Sequence, residues 1–370
     1  MIKKANITRV LYSLMLFFSL VPDFFAIGDL KPMYIVFFLL CLRAFREKIK
    51  IPPKYVMLFG IYSITISFLL SGLFGIDRLL FNYAFGIFVV TIFYNISCKE
   101  NIRNLISCLK IVWVGLAITI VINDFLQYHR FIEFHQLKLA HPYINTVVTG
   151  GVNLEATWLS LLSITFINDR RKWFPILFSL GVSAVYASRV GILSVAIIMM
   201  LLFLKNRQSN LGKKLISLVS ISAVIVFIGV QTDLFSDVLS RFGNIGHDPG
   251  SLGRFRLWSG VIPTMLQYPF GVGLGNVIDS ITKTTGIAYV ENNLHCLPVQ
   301  MFCECGILGG FFYIALWGIF FFKEYKCFGN DEIKTILLVY FLLSMLQFRG
   351  GETIFFSLLG AYLGTRRKSY

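Results

Sequence analysis

The chain has 370 residues, of which 56% are hydrophobic and only 14% are charged. Soluble domains carry about 25% charged residues, so this composition excludes an ordinary soluble protein and predicts an all-α integral membrane protein. A net charge of +15 is typical of nucleic-acid binding, but it also occurs where basic loops orient membrane helices.

Twelve apolar runs are long enough, or nearly so, to cross the roughly 30 Å hydrocarbon core of a bilayer as helices. We therefore predict about 12 transmembrane helices in a single polytopic membrane domain that covers residues 1–370. The first run ends without a small-residue cleavage site and is interpreted as a retained helix. In chain order the runs are 10–27, 31–42, 55–75, 79–97, 105–123, 154–168, 174–187, 190–204, 215–231, 298–322, 335–348 and 353–364.

The basic residues orient these helices, because short loops rich in Lys and Arg stay in the cytoplasm. With the N-terminus inside, alternation of the spans places 24 of the 34 basic residues and only six acidic residues on the inner side. The inner side then carries +18 and the outer side −3. The net charge therefore indicates topology, both termini are predicted to be cytoplasmic, and no nucleic-acid partner is expected.

The two longest outer loops are 124–153 and 232–297, the second with 66 residues. The histidines spaced by six residues do not share one helical face, and no carboxylate lies at ligand spacing from a histidine, so no metal site and no cofactor are predicted. Any chemistry is expected on the outer side, because all five histidines lie there: His129, His135, His141, His247 and His295.

The stretch 174–204 has 31 residues, about 46 Å as a straight helix, which is too long for one crossing and too short for two. We therefore predict a tight hairpin with Ser188-Arg189 at its tip. An arginine at the bilayer centre costs about 2.5–3.5 kcal/mol and normally faces a wet cavity with an anionic partner. Arg189 is thus a candidate site residue, the alternative being a snorkelling arginine at a helix end.

Two further charged positions are candidates for substrate binding. The stretch 335–364 has the same hairpin shape around Arg349, which either binds substrate or pairs with Glu352, three residues later. Glu155, at the outer start of its predicted span, either contacts substrate or pairs with an arginine.

In the large loop, apolar residues recur every four positions between Leu257 and Leu266. This spacing predicts an amphipathic helix, kinked at Pro263, that lies on the membrane surface or caps the bundle. Arg254 and Arg256 are expected at the start of this helix, where free backbone N–H groups already favour an anion, so they form a candidate phosphate site. Anchoring to anionic lipid headgroups is the alternative.

The string Gly271-x-Gly273-x-Gly275 follows this helix, but no strand precedes it, so a dinucleotide-binding loop is excluded. It predicts a turn that lets the backbone approach a substrate or a neighbouring helix. His295 is then placed at the outer membrane border, and Glu304 about 13 Å deeper along a continuous helix. A histidine with an ordinary pKa near 6.5 suits general-base catalysis at neutral pH.

In order and spacing, these motifs resemble the O-antigen polymerase and O-antigen ligase superfamily of bacterial membrane glycosyltransferases. The family usually has His-Asn where this chain has His295-Cys296, so no hydrogen-bonding role is carried over to position 296. The resemblance covers about residues 180–310 and rests on Ser188-Arg189-Val190-Gly191, Gly253-Arg254-x-x-x-Trp258, Pro269-x-Gly271-x-Gly273-x-Gly275 and His295-Cys296-x-x-Val299-x-x-x-x-Glu304-x-Gly306-x-x-Gly309.

This resemblance implies a multi-pass protein of the bacterial inner membrane with a periplasmic active site. It implies a substrate oligosaccharide linked through pyrophosphate to undecaprenol, with membrane lipid and a chain-length regulator protein as further partners. At the matching positions, Arg189 and Arg254 would bind the pyrophosphate and His295 would lie near the acceptor hydroxyl. Arg256 is a further candidate for substrate binding, and Glu304 either binds substrate or pairs with an arginine.

Three functions are compatible with these features. A polymerase transfers the growing lipid-linked chain onto a new lipid-linked repeat unit, whereas a ligase transfers the finished chain onto the lipid A core. The compact length and the composition rich in Phe, Ile, Lys and Asn favour the polymerase. A flippase or other transporter is the alternative from another class, and it would show ionisable residues deep in its spans, two related halves and broken helices.

Overall fold

The computed structural model describes residues 2–46, 48–127, 146–186, 188–205, 249–289, 291, 293–324, 331–348 and 350–366. Within these ranges the regular elements are helices, apart from one isolated bridge between Ile27 and Leu30. The predicted all-α fold is thereby confirmed.

Sixteen α-helices are described, and two of them are extended by other helical turns. A π-helical segment, Ile122–Gln127, continues α6, and a 3-10 turn, Ile164–Phe166, continues α7. The helices are α1 (Ile2–Leu20), α2 (Pro32–Ala44), α3 (Lys54–Leu69), α4 (Ser71–Phe74), α5 (Arg78–Ser97), α6 (Ile102–Val121), α7 (Val152–Ser163), α8 (Trp173–Val185), α9 (Arg189–Lys205), α10 (Pro249–Ser259), α11 (Val261–Gln267), α12 (Val277–Thr285), α13 (Leu297–Glu304), α14 (Gly306–Glu324), α15 (Glu332–Ser344) and α16 (Thr353–Arg366).

Two of the described helices, Arg78–Ser97 and Ile102–Asp124, are long and apolar enough to cross a membrane by length and composition. Six further apolar helices in the described ranges are shorter, with 10 to 17 residues. Large apolar side chains on the outside of the helices are what contact with lipid requires. More than half of the side-chain surface is exposed at Phe38, Phe81, Phe88, Ile111 and Phe174. The total of twelve spans stays a prediction.

The chain divides into two compact units. The first comprises Met1–Cys108, Pro249–Phe328 and Tyr340–Tyr370, and the second comprises Leu109–Asp248 and Gly329–Val339. Helices α1 to α5, α10 to α14 and α16 lie in the first unit, and α7, α8 and α9 pack on one another in the second.

Polar contacts within each unit join segments that the charge pattern places on the same side of the membrane. Lys110 forms a salt bridge of 2.7 Å with Asp169, and both residues are assigned to the inner side. Asn276, in the large outer loop, donates from Nδ2 at 3.2 Å to the carbonyl oxygen of Gly75, the residue at the outer end of the predicted span 55–75. These contacts agree with alternating crossings, while the side that faces the cytoplasm stays a prediction.

Helices α5 and α16 pack closely through glycines of α16. A Cβ at Gly360 would lie 2.5 Å from the Val90 carbonyl oxygen, and one at Gly364 would lie 2.4 Å from the Tyr94 carbonyl oxygen. The Gly-x-x-x-Gly spacing lets two helix backbones approach each other, which is a common arrangement between membrane helices.

Replacing Gly360 with leucine is therefore expected to force α5 and α16 apart and to lower the thermal stability of the protein. Overpacking a tight contact typically costs about 1–3 kcal/mol. The matched control is Gly318→Leu on α14, because nothing lies within 4 Å of a Cβ at that position. Thermal unfolding of both variants in detergent tests the prediction, and an equal Tm for the two would contradict it.

Candidate active site

Arg189 is the first residue of α9, directly after the short break that separates this helix from α8. Ser188 caps α9, because its Oγ accepts a 3.1 Å hydrogen bond from the Gly191 N–H. The Ser188 N–H donates to the Ser183 carbonyl oxygen at 2.9 Å, and a Cβ at Gly191 would lie 2.8 Å from the Ala156 Cβ. The predicted tight hairpin with Ser188-Arg189 at its tip is confirmed.

Beside this hairpin, the Tyr186 hydroxyl bonds to two buried carboxyl groups, those of Asp124 and Glu155. Glu155 is 0% exposed, and its Oε2 also accepts a 2.9 Å hydrogen bond from the Val148 N–H. Glu155 is thus enclosed by Tyr186 and Val148, and Asp124 and Tyr186 are site neighbours that the sequence pattern did not single out.

Arg254 lies in the second turn of α10, because Pro249 opens this helix at its first position. The expected location of Arg254 and Arg256 at a helix start is therefore wrong. Arg256 lies in the last turn, where it is exposed and complements the helix dipole. Among the candidate site arginines of the described residues, Arg189 lies at a helix start, on α9.

The predicted amphipathic helix is divided into α10 and α11, and the division falls at Gly260 rather than at Pro263. A Cβ at Gly260 would lie 2.5 Å from Ile281 Cγ2 on α12, whereas Pro263 occupies the first turn of α11, where proline is tolerated. This part of the large loop is folded around its own core, which fixes α10 against the segment before α13. The core residues are Leu257, Val261, Val277, Ile278, Ile281, Leu294 and Cys303.

The glycine string fills a break between α13 and α14. Gly271, Gly273 and Gly275 have positive φ angles of 97°, 88° and 88°. The Gly273 N–H donates to the Glu304 carbonyl oxygen at 2.9 Å, and a Cβ at Gly271 would lie 2.5 Å from the same oxygen. The interpretation as a turn by which the backbone approaches a neighbouring helix is confirmed.

Glu304 is the last residue of α13, and the chain resumes a helix at Gly306, which has a φ of 72°. The expected continuous helix through Glu304 is therefore wrong. The side chain of Glu304 is 0% exposed, and its Oε1 accepts a 2.9 Å hydrogen bond from Gln300 Nε2. Its carboxyl group lies in the protein interior at the helix break, and a role in substrate binding stays a prediction.

His295 is the only non-glycine residue of the described chain with a positive φ, 54°. The left-handed region costs such a residue roughly 1–2 kcal/mol, and strain of this kind concentrates at functional sites. Two hydrogen bonds of 2.8 Å hold the backbone beside it. Trp258 Nε1 donates to the Leu294 carbonyl oxygen, and the His295 N–H donates to Asn293 Oδ1.

The imidazole of His295 is partly buried, and its Nδ1 is buried with no hydrogen-bond partner among the described residues. Burial, and then the positive charge of Arg254, lower the pKa of His295 from 6.5 to about 4. The ordinary pKa expected from the sequence is therefore wrong. The ring is neutral at pH 7 and able to accept a proton, and Arg254 and His295 act on one another within the first unit.

Cys296 occupies the N-cap position of α13 and makes no side-chain hydrogen bond that caps the helix. Asparagine, the usual family residue at this place, is among the best N-caps. The departure from the family pattern therefore removes a cap. Burial raises the pKa of the Cys296 thiol, so it stays protonated and is a poor nucleophile.

Arg349 lies outside the described residues. Its expected partner Glu352 accepts a 2.8 Å hydrogen bond from the Tyr340 hydroxyl and one of 3.2 Å from the Gly350 N–H. A substrate contact by Arg349 stays a prediction.

Metal ligands were not expected in this chain. In the part of the chain that the structure describes, no three His, Cys, Asp or Glu side chains are grouped so that they could hold a metal ion. The lack of a metal site stays a prediction, because four histidines lie outside the described residues: His129, His135, His141 and His247.

The apolar helices with exposed large apolar side chains are consistent with a membrane protein, and Arg254 and His295 form a candidate site beside a folded core. Residues 174–314 match the family model described as O-Antigen ligase, which confirms the resemblance to the O-antigen polymerase and ligase superfamily. Proteins of this family are membrane-embedded and glycosyltransferase-like. The match includes Arg189, Arg254, Arg256, His295 and Glu304. No curated protein is significantly similar to the chain.

Proposed function

We propose that the protein is an O-antigen polymerase. It transfers an undecaprenyl-pyrophosphate-linked glycan onto a lipid-linked repeat unit at the periplasmic face of the inner membrane. The observation that carries the proposal is the pair formed by Arg254 and His295, in which a neutral imidazole on a strained backbone lies near a guanidinium. The family match to residues 174–314 supports a glycan-transfer reaction.

The proposed reaction exchanges one bond for another at the anomeric carbon of the donor sugar. The bond to the phosphate oxygen breaks, its electron pair stays on the pyrophosphate, and the acceptor hydroxyl oxygen bonds to the anomeric carbon. The hydroxyl proton passes to the imidazole of His295. Arg254 stabilises the charge that develops on the leaving pyrophosphate, because guanidinium groups bind phosphate oxygens in a bidentate manner.

The low pKa of His295 is consistent with this role once the donor is bound. An imidazole with a pKa of about 4 is fully neutral at pH 7, but it is a weak base. A bound pyrophosphate adds negative charge beside Arg254 and offsets the guanidinium, so it raises the pKa of His295 towards neutrality. The imidazole then becomes a stronger base when the donor is in place.

The O-antigen ligase is the second candidate, because the matching family is described by that name. It uses the same donor chemistry and differs in the acceptor, a sugar of the lipid A core. Transport is less favoured: broken helices are typical of transporters, but the break after Glu304 is closed by hydrogen bonds from Val272 and Gly273.

Deletion of the gene separates these functions by the glycans that remain. Loss of a polymerase is expected to leave core with one repeat unit on a gel, and the complemented strain is expected to regain the ladder. Bare core together with long polymer on undecaprenol would identify a ligase. Bare core with only single lipid-linked units would identify a transporter, and an unchanged ladder would exclude all three.

A further inference from the structure

The peptide group between Leu294 and His295 is bonded on both sides to side chains rather than to backbone. Its carbonyl oxygen accepts from Trp258 Nε1 at 2.8 Å, and its N–H donates to Asn293 Oδ1 at 2.8 Å. The residue that follows this peptide, His295, has the left-handed backbone with a φ of 54°.

We propose that Trp258 and Asn293 are positioning residues for His295, and that Trp258 couples the orientation of His295 to the helix that carries Arg254. This inference rests on the proposed function, since it deepens the assignment of His295 as the base.

The spacing of Arg254 and Trp258 along α10 couples the two side chains directly. Trp258 follows Arg254 by four residues, so the two side chains lie on one face of the helix, one turn apart. The same helix buries Leu257 in the core that also contains Leu294. One rigid element therefore sets both the guanidinium and the peptide group that precedes the imidazole.

The left-handed backbone of His295 explains why the hydrogen bonds from Trp258 and to Asn293 are both needed to hold this residue. A non-glycine residue leaves the left-handed region unless its surroundings hold it there, and a change of φ swings the side chain to a new direction. Trp258 combines an apolar ring in the folded loop with an N–H that donates to the Leu294 carbonyl oxygen. Phenylalanine has the ring but lacks this N–H. Asn293 forms a turn with the N–H two residues on, a bond that serine makes more weakly.

The first variant is Trp258→Phe, which keeps an aromatic ring and removes the N–H. We expect kcat to fall about 10- to 100-fold with little change in KM, because a base that is displaced by about 1 Å loses rate rather than substrate affinity. The matched control is Tyr289→Phe, which removes a hydroxyl of the same folded loop whose one hydrogen bond within the described residues is to the Arg256 carbonyl oxygen, at 3.4 Å. Its kcat is expected to stay at the wild-type level.

A second pair of variants covers the case that Trp258→Phe does not fold. Asn293→Ala removes the acceptor for the His295 N–H and is expected to lower kcat, whereas Asn293→Ser is expected to restore part of it. If Asn293→Ser is as impaired as Asn293→Ala, the positioning role of Asn293 is wrong.

A readout that needs no substrate is the rate at which diethylpyrocarbonate modifies His295 at pH 7, followed by mass spectrometry of its peptide. The wild-type rate is expected to be low, because the imidazole is partly buried, and to rise several-fold in Trp258→Phe but not in Tyr289→Phe. Unchanged labelling and unchanged kcat would overturn the inference. Raised labelling in a protein that transfers no glycan would support the positioning role and reject the proposed function.

Discussion

Replacing His295 with asparagine is expected to abolish long-chain polysaccharide while the protein stays folded and inserted in the membrane. General-base catalysis contributes about 10²- to 10⁴-fold to a rate, and asparagine offers no base of comparable strength. Asparagine is the most suitable replacement because it tolerates the left-handed region better than most residues, so the backbone at position 295 keeps its φ of 54°. The measurement is the ladder of polysaccharide from a deletion strain that expresses the variant.

The neighbouring substitution Cys296→Ala is the matched control, since Cys296 makes no capping bond and takes no part in the proposed reaction. It is expected to give a normal ladder. A normal ladder from His295→Asn, at equal expression, would reject His295 as the base.

His295→Gly adds a test in which stability and activity change in opposite directions. Glycine adopts a positive φ without the cost that a Cβ imposes, so the free energy of unfolding is expected to rise by about 1 kcal/mol. Glycan transfer is expected to be lost, because the imidazole is gone. A fall in Tm for this variant would contradict the inference that His295 is held under strain.

The sequence predicted the hairpin at Arg189 well because length alone constrains it. A stretch of 31 residues between basic segments fits neither one crossing nor two, so the chain has to turn near its middle, and Ser188 provides the cap for the second helix.

The start of α10 and the end of α13 were mispredicted for a common reason. Apolar periodicity in the large loop begins only at Leu257, so it does not show that Pro249 has already opened the helix. Similarly, an apolar run through Glu304 looks continuous, and the positive φ of Gly306 appears only in the folded chain. Periodicity reports which side chains are apolar, whereas helix ends depend on caps and backbone angles.

The electrostatics of the site depend on contacts that no local pattern contains. The low pKa of His295 requires burial together with a guanidinium 41 positions earlier in the chain. Likewise, the Tyr186 hydroxyl meets Asp124 and Glu155, which lie on two other segments. Motif order predicted Arg254 and His295 as site residues, but only the fold shows the positive φ of His295 and the effect of the Arg254 charge on it.

Replacing Arg254 with alanine is expected to lower kcat/KM by about 10²- to 10³-fold, the usual loss when a donor to developing negative charge is removed. Arg254→Lys is expected to be intermediate, because an ammonium keeps the charge but cannot form the bidentate contact with phosphate. The control is Lys283→Ala, which removes a cation of the same loop that lies 5.1 Å from the Phe74 ring centroid. Its transfer rate, measured with lipid-linked substrates in detergent, is expected to equal that of the wild type.

The pH profile of Arg254→Ala separates loss of phosphate binding from loss of control over the base. The neutral imidazole is the active form, so kcat/KM of the wild type is expected to fall only as the pH drops through about 4, the pKa of His295. Without the guanidinium this pKa rises, while burial still holds it below 6.5. As the pH is lowered, the residual activity of Arg254→Ala is therefore expected to fall at a higher pH than the activity of the wild type. The activity of Arg254→Lys is expected to fall near the same pH as that of the wild type. If the activity of Arg254→Ala falls at the same low pH as that of the wild type, the guanidinium does not act on His295, and its role is confined to the pyrophosphate.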